Sequence, residues 1–151
     1  MKNLFDPTVA DQVKTRLEKL EPQTERRWGK MTAAQMLAHC SVSMQWAVGE
    51  VAPEKGALSV RLMGRLVKPM VFRNEDPLRK NSPTAKSLIV ADERDLEKER
   101  ARLSGLVDKF AAGGVAGCTK NPHSFFGKLT PEEWAILMYK HLDHHFRQFG
   151  V

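Results

Sequence analysis

The sequence predicts an all-α protein, a four-helix bundle folded as one domain over residues 1–151. Three observations predict it. Apolar residues recur at helical spacing, capping residues mark helix starts along the chain, and only one short piece reads as extended. A chain of 151 residues is long enough to bury a core, and 42% hydrophobic with 28% charged residues is an ordinary globular balance.

The first helix is expected from Asp6-Pro7, an N-cap followed by proline at the first helical position. Val9, Val13, Leu17 and Leu20 repeat at helical spacing until Glu21-Pro22, where the residue before proline is pushed out of the helical region. Thr32-Ala33-Ala34-Gln35 is a capping box opening a second helix that runs to Gly49. Ala57 to Phe72 reads as a shorter helix, with Leu58, Leu62, Leu66 and Met70 four apart, Arg61, Arg65 and Lys68 on its other side, and a break at Pro69. Asn74 to Pro83 reads as a loop and Ser87 to Val90 as a short extended piece.

A charged amphipathic helix is expected from Asp92 through Leu96, Leu103, Leu106, Val107 and Phe110, ending at Gly113-Gly114. The glycines there are no phosphate loop, since no Lys-Ser/Thr follows and no strand precedes. Thr130-Pro131-Glu132-Glu133 opens the last helix with an N-cap, a proline and two acids facing the helix dipole, and that helix extends to Arg147.

Several classes of protein are excluded or made secondary. No apolar run reaches the roughly 18 residues that cross a bilayer, and Met1 to Pro7 lacks the apolar stretch of a secretory leader. The expected location is therefore cytoplasmic, with no membrane partner. Cys40 and Cys118 match no metal or redox spacing and are expected as free thiols, Cys40 within the core. The net charge of +6 is spread along the chain without an aromatic-interleaved basic stripe, so no specific nucleic-acid site is expected. A small-molecule substrate, to which a basic surface offers attraction if it is anionic, is the expected partner, and a homodimer is left open.

The chemistry concentrates in histidines. His141 and His145 lie about 40° apart on one helix and one turn along, so both rings can aim at one point. Trp134, Leu137, Met138 and Gln148 share their face, and Asp143 lies about 160° away. His39 occupies a comparable inner position on the second helix, among Met36, Ser43 and Trp46. A buried histidine without a partner is costly, and ligation of one metal from facing helices satisfies several at once. Spacing alone weighs this metal site evenly against a solvated histidine-rich helix end. The metalloprotease motif is absent, because Leu142 follows His141 where a glutamate would act as base. Three imidazoles leave positions open for water or substrate. Gln148 is placed to orient such a water or to hydrogen-bond a ligand ring. No carboxylate is placed to serve as general base.

At these residues the sequence resembles the DinB/YfiT-like superfamily of metalloenzymes. One stretch is Trp28-Gly29-Lys30-Met31 through the capping box to His39, and the other runs from Phe125-Phe126-Gly127 through Trp134 to His141, His145 and Gln148. Together they cover about a third of the chain. The resemblance implies a bundle of DinB type with a divalent ion, nickel or zinc, held by His39, His141 and His145; iron, manganese and cobalt are alternatives. It implies a thiol-dependent transferase using a low-molecular-weight thiol, or a hydrolase. The other expectation is a non-enzymatic bundle that binds a metal or small ligand. His144 has no place in the motif. His123 follows Pro122 where the family tends to place histidine before proline, which makes it a poor ligand.

Overall fold

A computed structural model describes residues 1–151. It contains five α-helices and no strand beyond a single bridge between His123 and Gly127. The helices are α1 (Pro7–Leu17), α2 (Ala33–Ala47), α3 (Leu58–Phe72), α4 (Leu96–Gly117) and α5 (Pro131–Phe149). α1, α2, α4 and α5 pack on one another, most extensively α2 against α4, whereas α3 touches α5 alone. The all-helical expectation stands, and the shorter helix expected beside the four main ones is α3.

Starts are where capping chemistry put them. Asp6 accepts from the Thr8 amide, and Thr32 with Gln35 and Thr130 with Glu133 form complete capping boxes. The ends differ more. α1 stops at Leu17, and one further turn carries Leu20 into the core. α4 starts after Asp95 rather than Asp92, because Asp95 accepts from the Lys98 amide. Its helical trace is interrupted at Gly114 (φ 52°, ψ −148°), a conformation open essentially to glycine, and one more turn follows to Gly117.

Two expectations are corrected. Pro69 does not break α3, which continues to Phe72. The carbonyl that proline leaves without an amide belongs to Arg65 on the exposed side of the helix, where water can take its place. The piece expected to be extended instead contains a 3-10 turn, Lys86–Leu88, which tucks Leu88 into the core.

α2 is central: Met36, Leu37, Cys40, Met44, Trp46 and Ala47 are all buried, on every side of the helix. α5 presents Trp134, Met138, Leu142 and Phe146 to the same core. Its Asp143, expected on the far side, is buried too, in an ion pair with Arg16 of α1 at 2.6 Å and with Arg147 at 2.7 Å. Both cysteines are free and buried, and burial pushes the Cys118 thiol up to about 11.

Candidate metal centre

α2 and α5 bring His39, His141 and His145 together. Each offers one ring nitrogen, and the three nitrogens lie within 4.8 Å of one another. The ring centroids are 4.7 to 4.9 Å apart. His39 and His145 are buried, and His141 alone keeps some solvent access. The face shared by His141 and His145 was readable from helical spacing. The inner position of His39 was less diagnostic than it seemed in the sequence, since nearly all of α2 is buried.

Each ring is oriented by a partner on its Nδ1. His39 Nδ1 lies 2.8 Å from the Leu88 carbonyl, which can only accept, so this nitrogen carries the hydrogen. Gln148 donates its amide to the Trp28 carbonyl at 2.8 Å, which turns its oxygen toward His145 Nδ1, also at 2.8 Å. The Ser43 hydroxyl lies 2.8 Å from the Cys40 carbonyl and 3.0 Å from His141 Nδ1; with its hydrogen on the carbonyl, its oxygen accepts from Nδ1. In that arrangement all three rings present a bare Nε2.

The Nε2 atoms of His39 and His141 are 2.9 Å apart. With the Ser43 hydrogen on the Cys40 carbonyl both carry lone pairs, which repel unless a cation lies between them; with it on His141 Nδ1, one imidazole donates to the other. A proton is a poor occupant. Burial, followed by the neighbouring His145 and His39, holds His141 protonation well below the usual histidine range. Burial also lowers His39, and burial with His39 nearby lowers His145 to about 3. A divalent ion fits better: nitrogens 2.9 Å apart subtend about 90° at an ion 2.0–2.1 Å from each. Neutral imidazoles with no carboxylate suit nickel, zinc, cobalt or iron rather than magnesium or calcium.

The other two histidines stand apart. His144 bonds the Leu78 carbonyl through Nδ1 at 3.1 Å and packs edge-on to Trp28. His123 Nδ1 accepts the Phe125 and Phe126 amides at 3.1 and 3.3 Å, which occupies its lone pair and fixes the loop ahead of α5. Its burial lowers the pKa to about 4.

The chain matches, over residues 4–150, the family described as "Protein of unknown function (DUF1569)". It belongs to that family. No curated protein matches the chain, and no solved structure does. This family's description carries no activity, so the chemistry rests on the residues.

Sequence reasoning had no route to two of the orienting groups. The Leu88 and Trp28 carbonyls are backbone atoms, brought in by a 3-10 turn and by the loop between α1 and α2. Ser43 was visible as the residue one turn beyond His39 on the same face, without a role. Trp28 and His144 also line a shallow cleft of about 240 Å³ beside the triad, together with Arg27, Lys80 and Arg147 and with no carboxylate.

Proposed function

We propose that this protein is a metal-dependent enzyme of the DinB/YfiT type, with one divalent ion, nickel or zinc, held by His39, His141 and His145. The observation that carries this reading is the convergence of three ring nitrogens from α2 and α5 within 4.8 Å of one another, with the Nε2 atoms of His39 and His141 2.9 Å apart. A bound ion would act there as a Lewis acid and lower the pKa of a water or thiol in its open positions. The chain's own residues do the rest. The Leu88 carbonyl and Gln148 hold the His39 and His145 rings in the tautomer that ligates, Ser43 can accept from His141 Nδ1 in the same way, and such partners also raise ligand basicity. Arg27, Lys80 and Arg147 around the adjoining cleft would attract the anionic part of a small substrate or thiol cofactor.

The reaction class that fits is thiol-dependent group transfer or hydrolysis. A second reading is a metal- or ligand-binding protein without catalysis. It is favoured by the absence of a carboxylate base at the triad, since Asp143 is committed to Arg16 and Arg147. The experiment is elemental analysis of protein purified without a histidine tag. About one nickel or zinc per chain supports the reading, and a folded chain that takes up neither overturns it. A screen of low-molecular-weight thiols with electrophilic substrates then separates enzyme from binder.

A further inference from the structure

α3 is built the wrong way round for a helix of a monomeric globular protein. Leu58, Leu62, Met63, Leu66 and Met70 expose 81, 59, 55, 68 and 72% of their surfaces, while the only fully buried residue of the helix is Gly64. At about 100° per residue, Leu62 and Leu66 both lie about 160° from Gly64. The outward arc from Leu58 round to Met63 spans about 140° and holds no charged residue from Leu58 to Phe72, with the exposed C-cap Arg73 at its C-terminal end. Side chains so exposed sum to several hundred Å², at or above the roughly 300–600 Å² of the largest apolar patch on a typical monomer.

This orientation is locked. A Cβ on Gly64 would stand 1.9 Å from the Phe125 carbonyl oxygen, and one on Gly56 would stand 2.5 Å from that of Ser124. The backbone at Gly56 and at Gly64 therefore rests directly on the loop before α5, while Val67, Val71 and Phe72 of the inner side pack partly buried against the core. Rolling α3 to bury its leucines would drive side chains into those carbonyls. Lys68, toward the inner side, is tied to Glu133 at 2.8 Å and to the Lys128 carbonyl.

Charge indicates what covers the stripe. From Lys55 to Arg73 the chain carries Lys55, Arg61, Arg65, Lys68 and Arg73 and no acid. Arg61 and Arg65, expected on the other side of the helix, instead lie exposed along one border of the apolar arc, Arg65 only about 20° from Leu58. A second copy paired antiparallel across the stripe is a poor cover, because it would align Arg61 and Arg65 of both copies along the same edge. An apolar ridge bordered by unpaired cations is instead complementary to a bilayer with anionic headgroups. We propose that α3 is an interfacial docking helix by which this protein lies on an anionic membrane surface, its leucine and methionine stripe in the headgroup–acyl boundary. This goes beyond the metal-site reading and departs from the expectation of no membrane partner. It does not require a span, and no helix is long and apolar enough to cross a membrane.

The test is vesicle co-sedimentation of the full chain, with phosphatidylcholine alone and with about a third phosphatidylglycerol. Wild type should partition onto the anionic vesicles and not the neutral ones, and partitioning should weaken as salt rises. Leu62→Glu with Leu66→Glu should abolish partitioning while leaving helicity and metal content unchanged, because both positions face solvent. Arg61→Glu with Arg65→Glu should lower it at least about tenfold. No partitioning of wild type onto anionic vesicles at low salt would overturn the proposal. So would equal binding by both double variants, or a wild-type dimer in light scattering that Leu62→Glu with Leu66→Glu converts to monomer.

Discussion

Gln148 offers the sharpest test of the orienting shell, because it makes two bonds that can be removed or separated. It is 3% exposed, accepts from His145 Nδ1 at 2.8 Å and donates to the Trp28 carbonyl at 2.8 Å. Gln148→Leu keeps the volume and orphans both partners. Buried His145 Nδ1 left unpaired costs about 1–3 kcal/mol and the partly buried Trp28 carbonyl about 1, so the metal-free protein should lose about 2–4 kcal/mol. For a chain of this size that lowers Tm by about 6–12 °C. The metal should suffer separately. With its ring free to turn, His145 should bind less well, and affinity for nickel and zinc should fall roughly 10–100-fold. Gln148→Glu divides the two effects. A carboxylate still accepts from His145, so affinity should return to within about threefold of wild type. It cannot donate to Trp28, so the stability loss should remain. The assays are calorimetric melting of metal-free protein and competition titration with a chromophoric chelator. Wild-type affinity in Gln148→Leu alongside a lowered Tm would refute the orienting role and leave Gln148 as a packing residue.

The remaining predictions address the ligands, the acid limit and the α1–α5 contact. Alanine at His39, His141 or His145 should each remove most nickel and zinc binding in titration calorimetry, whereas His144→Ala should retain it; His123→Ala should keep the metal stoichiometry but melt earlier, since two loop amides lose their acceptor. Metal-free protein should weaken with acid. The folded-state pKa values of His145 (about 3) and His123 (about 4) lie below the unfolded value near 6.5, so this stability is complete above about pH 6.5 and is lost as pH falls toward the folded values. At about pH 5 the loss should be about 2 kcal/mol for each histidine, and urea midpoints that stay level from about pH 7.5 to 5 would contradict it. Asp143→Ala leaves half-buried Arg16 with the Val151 carbonyl but no counter-charge and should cost about 1–3 kcal/mol by urea unfolding with metal binding intact; a loss of metal instead would tie Asp143 to the site.

Local signals in the sequence determined where helices begin and which histidines of α5 share a face. An N-cap, a capping box or an i,i+4 pair involves residues within one turn, so its physics is complete before the chain folds. The starts of α1, α2 and α5 and the common direction of His141 and His145 follow from such signals. The chain also determined its composition limits, including that no helix is long and apolar enough to cross a membrane.

Tertiary structure decided what depends on distant partners. Pro69 is tolerated in α3 because that helix lies on the surface, a fact its apolar spacing conceals. The same leucine repeat that reads as a core stripe faces outward because Gly64, and not the stripe, meets the Phe125 carbonyl. The order of the triad likewise comes from groups 49 and 120 residues away in the chain, the Leu88 carbonyl on His39 and the Trp28 carbonyl on Gln148. Backbone carbonyls are the same in every residue, so only the path of the chain through space determines which of them reaches an imidazole.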